Sequence, residues 1–80
     1  MPVVFRYRGF RFFFFSNEGN PREPVHIHVE GAGGEAKLWM RPDVHVAAEK
    51  GYDRKALAEL IWIVRKERDL IERKWHEHFS

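Results

Sequence analysis

The chain contains no cysteine among its 80 residues. That absence excludes a disulfide frame, a Cys-based zinc ribbon and a thiol nucleophile. Serine is scarce, with only Ser16 and Ser80, so no Ser-His-Asp constellation can be assembled. No apolar run approaches the roughly 20 residues of a membrane-spanning helix. Met1-Pro2 leads into strand-like sequence rather than a signal peptide, so the expected place is the cytoplasm, away from membranes. A dense charge of one sign is also missing. The formal charge of +2 and pI near 9.2 are mildly basic, short of the Lys/Arg stripes that grip duplex through many phosphates. Gly31 to Gly34 leads into a strand, so it lacks the helix N-terminus that a phosphate loop needs.

What the chain does have is aromatic mass. Twelve residues are aromatic, seven of them Phe, and five of those fall within Phe10 to Phe15. A domain this small buries only about 60 to 65% of its surface on folding, so each large ring counts heavily toward a single core spanning residues 1–80. The expected class is α+β, an antiparallel sheet of four to five short strands in two hairpins, packed by one long C-terminal helix.

Val3 to Arg8 and Phe10 to Ser16 read as a hairpin turning at Arg8-Gly9. The register then sets Tyr7 opposite Phe10, Phe5 opposite Phe12 and Val3 opposite Phe14 on the core face. On the other face Val4 meets Phe13, and Arg6 meets Arg11 with Arg8 beside them. Like charges directly opposite cost stability unless an anion answers them, so that face asks for a partner. Ser16 to Pro24 is a loop rich in turn formers, with the makings of a lid. Val25 to Glu30 alternates apolar and polar, which puts His26, His28 and Glu30 away from the core. Pairing Glu30 with Glu35 across the glycine turn sets His28 against Lys37, Ile27 against Leu38 and His26 against Trp39.

Val44 and Val46 suit a short edge strand, after which Ala47 to Lys50 reads as a helical or irregular turn closed by Gly51. Asp53 is a good N-cap for a helix from about Arg54 to about His78. At about 100° per residue, Leu57, Leu60, Ile61, Val64, Ile71, Trp75 and Phe79 form its buried stripe. Glu67 and Arg68 interrupt that stripe; either they snorkel to the rim or pair with each other or with the sheet, or Arg68 reaches a site formed with the exposed sheet face. Trp62 and Leu70, outside the stripe, together with Phe13 and Phe15, suggest that a homodimer or a partner protein covers the domain.

Two kinds of chemistry suit the exposed face. In the first, a histidine takes a proton from a 2′-hydroxyl, another protonates the leaving oxygen, and Lys37 stabilises the charged phosphorane. His26, His28 and Lys37 are the catalytic candidates, beside Trp39 for base stacking and the Arg6, Arg8 and Arg11 cluster for phosphate. In the second, His26 and His28, two apart on a strand, share a divalent metal ion. A third ligand would come from Glu30, Glu35, His45 or the helix end. His76 and His78 diverge by about 200° on a helix and cannot chelate together. No cofactor motif accompanies either arrangement, and the same residues also suit an ordinary wet strand face.

Four segments occur in a telling order: Phe10 to Asn17 (FRFFFFSN), Asn20-Pro21 before Val25 to Val29 (VHIHV), Gly34 to Trp39 (GEAKLW) and Trp75 to Phe79 (WHEHF). The chain thereby resembles the small bacterial domain-of-unknown-function family 4160 over nearly its whole length. The resemblance maps the histidine-rich strand onto His26 and His28, and the C-terminal signature onto Trp75, His76, Glu77 and Phe79. It implies a small cognate partner protein encoded alongside, in a pairing like a type II toxin–antitoxin module, and with it a toxin-like role directed at RNA. A non-catalytic protein-binding or regulatory module is the rival expectation, and a small metal-binding protein the third. Binding roles are expected for Arg6, Arg8, Arg11, Trp39, Arg68, Trp75 and His76. Arg22-Glu23, between Pro21 and Pro24, lengthens the loop relative to the family pattern.

Overall fold

A computed structural model describes residues 3–16 and 23–79. In chain order its elements are β1 (Val3–Tyr7), β2 (Phe10–Phe13), β3 (His26–Gly31), β4 (Gly34–Trp39), β5 (His45–Lys50), α1 (Arg54–Lys66) and α2 (Arg68–Phe79). The five strands form one antiparallel sheet in sequence order. The fold is α+β, as expected. The lid suggested for the loop after β2 falls largely on residues 17–22, outside the described residues.

The first hairpin turns where its sequence says it should. Arg8 and Gly9 both take positive φ, 48° and 84°, which suits a two-residue turn matching the strands' right-handed twist. Tyr7 pairs with Phe10, Arg6 with Arg11 and Phe5 with Phe12, after which the register slips and Val3 pairs with Phe13. The expected pairings of Val3 with Phe14 and Val4 with Phe13 are therefore corrected. A bulge adds one residue to β1 and changes the facing of everything beyond it. Val4 thereby packs against the core, and Val3 is left 39% exposed.

Strands β3 and β4 pair in the expected register, with His26, Ile27, His28 and Glu30 opposite Trp39, Leu38, Lys37 and Glu35. The turn between them lies close to the first hairpin. A Cβ on Gly31 would stand 2.4 Å from the Gly9 carbonyl oxygen, so this approach of backbones requires glycine.

The segment Ala47 to Lys50 is strand, not the turn expected of it. Its helix-compatible Ala-Ala-Glu-Lys sequence is overridden by the ladder to β4, which supplies backbone partners that a lone turn would lack. A second bulge accompanies it, since Leu38 pairs with Val46 but Lys37 pairs with Ala48.

Asp53 caps α1 as expected, accepting from the Ala56 amide at 2.8 Å. In place of one continuous helix, α1 and α2 meet at Glu67, which leaves helical geometry at φ −100° and ψ 18°. The amide of Glu67 still bonds to the Ile63 carbonyl, and that of Ile71 to the Glu67 carbonyl, so the break is local. Ion pairs to the β4–β5 connection flank it on both sides: Arg65 to Asp43, and Glu72 to Arg41.

The helices bury Leu60, Ile63, Val64, Ile71 and Trp75 against Phe12, Phe14, Ile27, Leu38 and Met40. Ile63 belongs to the buried set although the single-helix stripe omitted it, while Leu57, Ile61 and Phe79 pack at its margin. Phe5 stacks on Phe12 with centroids 4.3 Å apart. Each fully buried ring or branched aliphatic contributes about 1.5–3 kcal/mol.

Candidate functional site

The sheet face opposite the core is organised in three cross-strand rows. The first runs Arg6, Arg11, Glu30, Glu35, Lys50, and the second Val3, Phe13, His28, Lys37, Ala48. The third runs His26, Trp39, His45. The register thus brings together most of the residues singled out by sequence, and it also sets their neighbours.

In the second row, Phe13 is only 4% exposed although it lies on the open face. It contacts Phe15 edge-on at 5.3 Å and stacks with His28 at 5.7 Å, and the Arg11 guanidinium lies 4.9 Å over it. Phe15 meets His28 at 4.4 Å and is 39% exposed. Lys37 lies 4.4 Å over the Trp39 ring, and its ammonium reaches Glu23 at 3.0 Å. Beside this cluster is a concavity of about 370 Å³, lined by Phe13, Phe15, His28, Lys37, Ala48 and Lys50 among others.

His26 does not face solvent. It is 0% exposed, with its ring 5.0 Å from Trp75, 5.3 Å from Trp39 and 5.1 Å from His28. Its Nδ1 lies 2.9 Å from the Pro24 carbonyl oxygen, which can only accept, so Nδ1 carries the proton. The alternation correctly assigns His26 to the far side of β3 from Ile27. It misses that His26 is the first residue of the strand, where Trp75 of α2 closes against the sheet. Trp75 is itself core, 2% exposed and in edge contact with Phe14 at 5.3 Å.

The arginines divide. Arg11 bonds Glu30 at 2.9 Å. Arg8 does not join it, reaching Glu59 of α1 at 3.4 Å instead. Arg6 is exposed and has no ion pair among the described residues. Arg68 pairs with Glu72 at 3.2 Å, one turn along its own helix and in a cluster with Arg41. Burial raises the Glu72 pKa, but hydrogen bonds and charge from Arg41 and Arg68 outweigh it and hold the carboxyl below its ordinary value. The Val44 amide and Arg65 likewise lower Asp43. His76 is exposed on α2.

His26 and His28 are adjacent, yet among the described residues no three of His, Cys, Asp and Glu gather closely enough to hold a metal ion. His45, a suggested third ligand, has its Nδ1 2.7 Å from the Asp43 carbonyl oxygen. On the outer helix surface Trp62 is 54% exposed, with the Lys66 ammonium 5.2 Å over its ring.

Sequence reasoning missed Glu23, Ala48 and Lys50. Glu23 was part of a loop. The β5 residues were lost because a bulge breaks period-two reading. Extending the Val44/Val46 alternation through Lys50 would have signalled the strand, though not the facing of its residues.

The model of a protein family described as "Domain of unknown function (DUF4160)" matches residues 9–76. No curated protein and no solved structure matches the chain. The chain belongs to this family.

Proposed function

We propose that this member of the DUF4160 family is the non-catalytic binding component of a two-protein, toxin–antitoxin-like module, and that it holds a small partner protein on its open sheet face. The observation that carries this reading is the burial of His26. A two-histidine proton relay needs both imidazoles to reach substrate, and His26 is 0% exposed between Trp75 and Trp39. The character of the face supports the reading. Its apolar centre of Phe13, Phe15 and Ala48 is rimmed by both signs of charge, the composition of a protein interface more than of a phosphate-binding groove. Arg11 and Lys37 already have carboxylate partners.

Isothermal titration with the small protein encoded alongside tests the proposal. Tight binding is expected for the wild type, weakened about tenfold or more by Phe15→Ala if that ring is an interface anchor, about 1.4 kcal/mol. Incubation with total RNA is expected to leave it intact, with or without divalent metal. RNA cleavage that disappears in a folded His28→Ala variant would replace this reading with that of an RNA-cleaving toxin. Self-association in sedimentation, abolished by Phe15→Ala, would make the occupant a second copy of the chain.

A further inference from the structure

We infer that the notch between the Phe13–Phe15–His28 cluster and strand β5 takes an arginine side chain of the partner protein, with Glu35 as the carboxylate that receives it. The inference rests on the reading that the open face holds a protein, and it names the chemistry of that protein's anchor.

Shape comes first. In the row Phe13, His28, Lys37, Ala48 the last member is the smallest, and the wall is low there. The resulting space of about 370 Å³ is lined by the rings of Phe13, Phe15 and His28 and by Ala48 and Lys50 of β5. It suits one long side chain better than a folded segment.

Charge comes second. The notch is rimmed by Glu30, Glu35 and Glu49 against Lys37 and Lys50, leaving the rim one charge negative. Glu30 is bonded to Arg11, Lys37 to Glu23, and Glu49 accepts from the Tyr52 amide at 3.2 Å. Glu35 has no such partner among the described residues, although it lies opposite both Glu30 and Lys50. Arg11 answers the charge of Glu30, whereas Glu35, directly across from it, has Lys50 opposite but no ion pair with it, so its carboxylate is the one left to take a further cation.

The same face already holds a cation of the proposed kind. Arg11 places its guanidinium 4.9 Å over Phe13 while bonding Glu30 at 2.9 Å. A second guanidinium entering over Ala48, its stem along His28 and Phe15, would repeat that arrangement with Glu35 and reach the remaining oxygen of Glu30. Arginine fits better than lysine because its planar group stacks on rings and binds carboxylates by two parallel hydrogen bonds.

The test is a titration of ¹⁵N-labelled full chain with acetyl-Ala-Arg-Ala-amide, followed by amide shifts. Saturable shifts confined to β3, β4 and β5 around His28, Glu35 and Ala48 are expected, with a Kd of about 1–10 mM. The lysine peptide should bind more weakly, the neutral citrulline peptide should give no localised shifts, and Glu35→Gln should weaken arginine binding about threefold to fivefold. Equal shifts from citrulline, or unchanged binding by the folded Glu35→Gln variant, would overturn the inference. Ala48→Trp, which fills the notch, separates the two proposals. If the partner protein still binds Ala48→Trp and Glu35→Gln but not Phe15→Ala, the binding face stands and the arginine site falls. If it binds all three equally, both fall.

Discussion

Replacing His26 by alanine distinguishes a structural imidazole from a catalytic one. The ring is fully buried and packed on two tryptophans and His28. Truncating a buried aromatic to alanine costs about 3–5 kcal/mol when the side chain is Phe or Trp, and the smaller imidazole should cost about 2–3 kcal/mol by the same route. The Pro24 carbonyl loses its donor as well, adding about 1 kcal/mol. The sum, about 3–4 kcal/mol, is a large part of the roughly 4–12 kcal/mol available to 80 residues. It corresponds to a fall in Tm of roughly 15–25 °C. Urea unfolding read by tryptophan fluorescence suits the measurement, since Trp39 and Trp75 flank the ring. The midpoint should fall with the slope unchanged. His28→Ala, at a half-buried position, should cost about 1 kcal/mol, and His26→Phe should retain partner binding because it restores the packed ring. A His26→Ala variant within about 0.5 kcal/mol of the wild type would refute the packing argument. So would a stable His26→Phe variant that has lost function, because the imidazole's chemistry would then be needed.

Two further outcomes follow from the fold. The Glu72 carboxyl titrates below its unfolded value near 4.5, so its contribution is present above that value and is lost as pH falls through the lower, folded one. Glu72→Gln should flatten this part of the acid limb in a pH series of urea melts. The difference from wild type should reach about 1 kcal/mol at neutral pH, discounted for solvent because Arg41 is 59% exposed, and it should shrink in high salt. An unchanged acid limb would argue against the carboxylate shared by Arg41 and Arg68. Gly31→Ala combines a φ of +148° with a Cβ 2.4 Å from the Gly9 carbonyl oxygen. It should destabilise by about 3 kcal/mol or more, and a near-native unfolding midpoint would show that the two hairpins do not approach each other as described.

The burial of His26 also changes how the face is to be read. The sequence pattern presents His26, His28 and Lys37 as three comparable polar groups in a row. In the fold they are a packed ring, a partly exposed ring against Phe13 and Phe15, and an ammonium held by Glu23 and Trp39. Arg8, counted with Arg6 and Arg11 on the same grounds, bonds to a helix on the core side. Residue type and strand parity can nominate such a cluster, but the partners that make it chemically active or inert come from residues distant in sequence.

Local interactions carry much of this architecture, and the sequence alone determined those parts. The Arg8-Gly9 turn, the complete β3–β4 register and the Asp53 cap follow from turn chemistry, period-two alternation and a side chain bonding its own helix start. The family also follows from segments read in order. Only tertiary structure decided the two bulges, the extension of β5, the break at Glu67 and the enclosure of His26. Each depends on what lies across a strand or around its end: Lys37 and Leu38 opposite β5, the β4–β5 connection bonded to both helices, and Trp75 arriving from α2. A repeat of two residues assigns a side chain to a face, but it cannot say where a face ends or which distant group closes over it.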